Sequence, residues 1–446
     1  MSIASSFASV VRQMTARSVT ACCAAGLMSV ALFSGGCGTE TTGDPPLVDA
    51  LYFPLGIAAH PDGRYLYVAN SGFDRRYNAG TVTVYDTFER RILENATVRI
   101  GLFAGEISVH RTADDTVQLL VPTRDDDRLV VIQVDAEAGD AQDHLQCDQG
   151  SDTTCGAGAS IERMLGMNQS DRLSGDPYGL SLDAEGLYMT HLERGVLSRW
   201  HFTEDGTPVG DCTVTLPNGA SSVARHPTLG WAYVTDRFGQ AMHSVETLDP
   251  LDRGRRGFTS RDVCRMEIRD VIGLDDTITG GRTRGIAFSA DGTLMYVASA
   301  TEGALRVYDT SVDRFGQPRN RLVAAIPLGT GPNVVRVAGL RGGSSPEVRP
   351  AGGRTQGLID EIVDARGEGL VYISSFTDDL VVVVDPTTLS VVARIPVDRG
   401  PHEISFLPDA DGRLMAYVGA FQESRMMVVD VDPDSADRFT VKASLQ

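Results

Sequence analysis

Carboxylates and a histidine recur at equivalent points of a repeating chain, and their types could do chemistry together. When seven repeats are aligned on an apolar residue that opens a short strand, the two residues before it read Leu55-Gly56, Gly105-Glu106, Tyr178-Gly179, Ser221-Ser222, Arg284-Gly285, Asp360-Glu361 and His402-Glu403. Glu106, Glu361 and Glu403 then share one position, with Asp360 and His402 beside them and Arg284 facing them. Carboxylates converging from separate repeats are what a hard divalent cation requires. An added imidazole would suit a softer metal. The competing arrangement has Arg284 neutralising part of the charge while water solvates the rest.

Other chemistry is absent or points to structure. Lys442 is the only lysine, which excludes a lysine nucleophile or Schiff base elsewhere in the chain. There is no Walker-type phosphate loop and no Gly-x-Ser-x-Gly nucleophile elbow. His60 and His226 each precede a proline in a turn that they are expected to cap. Asp409-Ala410-Asp411-Gly412 resembles part of a calcium loop but occupies a hairpin slot, so a turn is expected. Asp125-Asp126-Asp127 reads as a solvated loop rather than an acidic rim.

The elements that must position these residues are strands. One phrase recurs: Tyr65-Leu66-Tyr67-Val68-Ala69-Asn70, Trp231-Ala232-Tyr233-Val234-Thr235-Asp236, Leu294-Met295-Tyr296-Val297-Ala298-Ser299, Leu370-Val371-Tyr372-Ile373-Ser374-Ser375 and Met415-Ala416-Tyr417-Val418-Gly419-Ala420. Gly186-Leu187-Tyr188-Met189-Thr190-His191 is a weaker copy. Aromatic and β-branched residues ending in small polar ones describe a buried strand running into a loop. Eleven positions upstream stands an apolar residue: Ile57 before Val68, Val223 before Val234, Ile286 before Val297 and Ile362 before Ile373. Downstream comes a strand ending in Asp, as in Val82-Thr83-Val84-Tyr85-Asp86 and Val382-Val383-Val384-Asp385, and then a fourth strand.

Repeats of about 40 to 50 residues with several short strands each predict a β-propeller. The phrase resembles the YVTN-type bacterial propeller repeat, from about residue 50 to the end. That resemblance implies an all-β, seven-bladed propeller of four-stranded antiparallel blades, but it implies little about function, because such propellers host binding proteins, lactonases and cofactor enzymes. The blades are expected to start near Pro54, Leu102, Asp176, Asn218, Thr283, Asp360 and Pro401. The eleven-residue spacing favours Glu361 to Asp364 as the inner strand of blade six over Asn333 to Ala338. Segments 330–359 and 136–175 then become insertions. Either Leu47–Phe53 or Phe439–Ala443 is expected to clasp the ring.

Residues 1–36 read as a secretory leader, with Arg12 and Arg17, no acid, and an apolar stretch from Val19 to Phe33. Ser34-Gly35-Gly36-Cys37 resembles a lipobox, which implies lipidation at Cys37. Residues 37–49 read as a flexible tether and 50–446 as the propeller. Four cysteines remain, Cys147, Cys155, Cys212 and Cys264, and an even number in an exported chain predicts two disulfides. Pairing Cys147 with Cys155 is the simplest of three schemes.

The formal charge of −19 argues against nucleic acid and anionic membrane as partners. The sequence therefore points to a monomeric lipoprotein of the bacterial cell envelope, in the outer membrane or periplasm. Its expected role is a non-catalytic binding or scaffold module for a protein or small molecule at the channel mouth. The alternative is a lactonase-like or metal-dependent hydrolase using the channel carboxylates, with a divalent cation as the one cofactor the acidic ring suggests. A redox role has least support, since the absence of Cys-x-x-Cys-His excludes covalent haem.

Overall fold

The recurring phrase forms the second strand of each blade because its alternate residues face two neighbouring blades. Tyr67, Tyr188, Tyr233, Tyr296 and Tyr372 are all buried. Burying each such ring contributes about 2–3 kcal/mol. The computed structural model describes residues 43–147, 154–155, 160–161, 175–183, 186–217, 219–239, 241–248, 265–273, 282–338 and 369–446. Its strands form seven antiparallel sheets, each with four strands in chain order, and the sheet of blade two carries a fifth strand on its third. The innermost strands are Pro54–Ala59, Ser108–Arg111, Pro177–Asp183, Ala220–Arg225, Thr283–Phe288, Pro332–Val337 and Pro401–Pro408. The protein is thus a seven-bladed, all-β propeller, and helix is limited to 3₁₀ turns among the described residues.

The eleven-residue spacing holds in three blades: Ile57 pairs with Val68, Val223 with Val234 and Ile286 with Val297. It misleads in blade six. There Val335, not Ile362, pairs with Ile373, so the inner strand is Pro332–Val337. The apparent spacing came from the C-terminal half of a long connection that leaves the blade after Val337 and returns at Val371. Those two residues pair at the end of the blade remote from Asn333. Asn333 and Val334 therefore hold the inner-strand positions that Asp360 and Glu361 were expected to hold. Asp360 and Glu361 themselves lie outside the described residues.

Six inner strands share one irregularity. Their register slips between Pro54 and Gly56, Pro177 and Leu180, Ala220 and Val223, Thr283 and Ile286, Pro332 and Val335, and Pro401 and Ile404. A bulge frees backbone groups and turns side chains away from the sheet. The small polar residue of the phrase satisfies the freed amide. Gly179 N donates to Thr190 Oγ1 at 2.9 Å, Ser222 N to Thr235 Oγ1 at 3.0 Å and Val334 N to Ser374 Oγ at 3.1 Å. Inner strands also crowd one another here. A Cβ on Gly179 would lie 2.3 Å from the Ser221 carbonyl oxygen.

Neither candidate clasp operates. Blade seven owns all four of its strands, ending in Thr440–Leu445, and Leu47–Phe53 forms no sheet strand. The ring closes through side chains: Leu51 joins Ile57, Leu66 and Val68 of blade one to Met415, Tyr417 and Met426 of blade seven in one buried cluster. In segment 136–175, Leu145–Gln146 and Ser160–Ile161 each pair with the third strand of blade two. Cys147 and Cys155 form the expected disulfide and pack into the core of blades one and two. Cys212 is also disulfide-bonded, while Cys264, Cys37 and the leader lie outside the described residues.

Candidate functional site

The starts of the inner strands determine the site, because residues there from blades two to seven meet at one cavity at the channel mouth. Its lining includes Glu106, Tyr178, Ser221, Arg284, Asn333 and His402, with Arg237 reaching in from the loop after the second strand of blade four. The space among them is about 250 Å³, counting the part open to solvent. Its enclosed part has room for about one water molecule.

Of the sequence-predicted residues, Glu106, Arg284 and His402 come together here. Glu403 is beside them but is committed elsewhere. Arg336, from the inner strand of blade six, binds it through both nitrogens at 2.8 Å. This fork-to-fork geometry is the strong form of an ion pair. Sequence reasoning missed Arg336 because it took the wrong inner strand for blade six. It also missed Asn333 for that reason, and Arg237 because that residue lies outside the inner-strand register.

Glu106 sits just before the inner strand of blade two and is gripped by blade three. Its amide donates to the Tyr178 carbonyl at 3.3 Å, and its Oε2 accepts from Leu180 N at 3.2 Å. Only 8% of the residue is exposed. Burial lifts its carboxyl from the ordinary 4.5 to about 7; Arg336 opposes the rise and Glu403 adds to it. Burial raises Glu403 as well, against the pull of Arg336.

His402 is neutral. Burial, then the charges of Arg237, Arg336 and Arg284, hold its imidazole down at about 3. The ring bonds the Leu55 backbone, and its buried Nδ1 has no hydrogen-bond partner. Arg284 is lowered to about 10, first by burial and then by repulsion from Arg237, so it is still a cation at neutral pH. Arg237 Nη1 donates to the Tyr178 hydroxyl at 3.3 Å. Among the described residues, no carboxylate lies within ion-pair distance of Arg237 or Arg284.

A resident divalent cation fits this arrangement poorly. Both oxygens of Glu403 are taken by Arg336, and two further guanidiniums face the cavity. Among the described residues, no group of three or more His, Cys, Asp and Glu side chains could hold a metal ion.

The remaining singled-out residues are structural. His60 Nδ1 accepts from Asp62 N at 3.1 Å, and His226 Nδ1 from Thr228 N at 3.2 Å, so both cap turns. Asp409 Oδ1 accepts from Asp411 N and Arg413 N at 2.9 and 3.0 Å, closing the hairpin expected there. The 125–127 run is bonded rather than freely solvated: Asp125 pairs with Arg75, Asp126 with Thr123, and Asp127 accepts from Asp176 N.

No protein-family model matches the chain, and no curated protein matches it in sequence. Solved structures do match in fold. Hydrazine synthase of Kuenenia stuttgartiensis aligns at TM-score 0.54 and 14% identity, over 90% of this chain and 100% of that one. A protein from Lactobacillus plantarum aligns at 0.53 and 13%, over 78% and 86%. A putative 6-phosphogluconolactonase from Bacteroides uniformis aligns at 0.52 and 12%, over 78% and 86%. At such identities the likeness is one of fold. The expectation of a non-catalytic scaffold is nonetheless overturned. Two of these three propellers are described as enzymes, and the mouth holds a buried carboxyl raised to about 7 together with the guanidiniums of Arg237 and Arg284.

Proposed function

We propose that the channel mouth is the active site of a lactonase-like hydrolase acting on a small ester or lactone. The observation that carries this reading is Glu106, a buried carboxyl held near neutrality opposite Arg284 and Arg237. A general base works best when its pKa lies near the working pH. Ionised Glu106 takes a proton from water as the water oxygen attacks the acyl carbon. Arg284 faces the negative charge that develops on the carbonyl oxygen, the role of a preorganised oxyanion donor. Breakage of the acyl–oxygen bond then returns the proton from Glu106 to the departing alkoxide. Atoms balance: one water is consumed, and a carboxylic acid and an alcohol result, on one molecule if the substrate is a lactone. His402 Nδ1, neutral and unpartnered, accepts a hydrogen bond from the attacking water or a substrate hydroxyl. The fold likeness to a putative 6-phosphogluconolactonase supports the choice of reaction class. The test is a panel of small lactones and aryl esters assayed by proton release. The reading expects hydrolysis that collapses in Arg284→Gln, and it fails if no substrate turns over.

We further propose that the protein is a YVTN-repeat propeller exported to the bacterial envelope and held there by lipidated Cys37. The charged, then apolar, then small-residue leader supports this.

A further inference from the structure

The enclosed part of the cavity is no larger than about a water molecule, so a substrate would lie on the residues that surround the mouth. On one side the surroundings are aromatic. The ring of His402 lies 6.4 Å from that of Phe421, and Phe421 lies 5.0 Å from Phe53 and 5.4 Å from Phe73. Phe73 is 5.8 Å from Phe103 and 54% exposed. These four rings belong to the mouth-side connections of blades seven, one and two, and they form a continuous crescent. The guanidiniums of Arg237 and Arg284 come from blades four and five, on the other side.

Two of the rings stand where the backbone favours glycine. Six blades enter the inner strand through a left-handed residue four places before its anchoring apolar residue. These are Phe53 (φ 49°), Phe103 (φ 55°), Asp176 (φ 65°), Gly219 (φ 106°), Gly331 (φ 72°) and Gly400 (φ 70°). Three blades use glycine, which adopts this conformation without steric cost. For a bulky residue it is an outlier. Hydrogen bonds hold the backbone there: Phe53 N donates to the side-chain Oγ of Ser424 and its carbonyl accepts from Ser71 N, while Phe103 N donates to the Ser71 carbonyl. Phenylalanine nonetheless occupies both positions, and both residues are partly exposed. Strain of this kind concentrates at functional positions.

We propose that the crescent of Phe53, Phe73, Phe103 and Phe421 is a subsite for the apolar acyl or aryl tail of an amphipathic substrate whose carboxylic end meets Arg237 and Arg284. This rests on the hydrolase reading for the chemistry but not for binding. The test is calorimetric titration of the whole protein with octanoate and with acetate, without turnover, alongside Phe53→Gly and Phe103→Gly variants. Octanoate should bind at least about tenfold tighter than acetate. Each glycine variant should lose about tenfold in octanoate affinity, keep its acetate affinity, and melt no lower than the unmodified protein. If octanoate and acetate bind equally, or if the variants melt lower yet bind octanoate as before, the rings are structural and the subsite does not exist. Octanoate preference lost in the variants, in a protein that hydrolyses no ester, would support the subsite and reject the hydrolysis.

Discussion

Glu106→Gln should make the protein more stable, and only where Glu106 is ionised. The unfolded carboxyl titrates near 4.5 and the folded one at about 7. A group whose folded pKa is raised contributes stability that is complete below the unfolded value and is lost as pH rises through the folded value. Ionising Glu106 in place thus costs the folded state stability across about pH 4.5 to 7. A shift of that size corresponds to about 3 kcal/mol, an upper figure for a carboxyl coupled to Glu403 and Arg336. Glutamine keeps the shape and an acceptor for Leu180 N but cannot ionise. The buried histidines act in the opposite direction. His60, His110 and His402 have lowered values, so they favour folding as pH rises toward 6.5. The wild-type curve therefore mixes both signs, and the difference between the two proteins isolates Glu106. Urea unfolding from pH 4 to 8.5 should give a variant-minus-wild-type stability near zero or negative at pH 4, rising by about 2–3 kcal/mol to a plateau above pH 7.5. A difference that stays flat across that range would refute the raised carboxyl of Glu106.

Arg336→Met should destabilise the fold by about 3–5 kcal/mol at pH 8, because it strands the buried Glu403 charge, and Arg336→Met/Glu403→Leu should recover most of the loss in the same urea titration. Serine at both Cys147 and Cys155 should lower stability by about 2–3 kcal/mol in oxidising buffer, as expected for so short a closed loop, with no change under reducing conditions. Cys37→Ser should move the protein from the membrane to the soluble fraction of the producing cell, as read by fractionation; a variant that still sediments with membranes rejects the lipid anchor.

The fold was legible because its signals are local and repeated. Tyr-Val alternation, a turn with Gly63 or Gly292, and a strand ending in Asp each report on neighbours a few residues away. The register alone places Glu106, Arg284 and His402 at one mouth. It fails at blade six, where the long connection after Val337 separates paired strands and a chance apolar residue, Ile362, mimics the spacing. With that error went Asn333 and Arg336. Among the described residues, Arg336 takes Glu403, while Arg237 and Arg284 line the cavity with Glu106. The left-handed entry of Phe53 and Phe103 was not legible at all, since it appears only when backbone angles of equivalent blades are compared.

The central claim is that Glu106 acts as the base in a channel-mouth hydrolase. The most direct measurement is kcat/KM against pH for the best substrate of the ester and lactone panel, in the wild-type protein and in Glu106→Gln. The account predicts a rate that rises with one ionisation near pH 7 and falls at least about 100-fold, with that ionisation gone, in the variant. A variant that retains the wild-type rate and pH profile would contradict it.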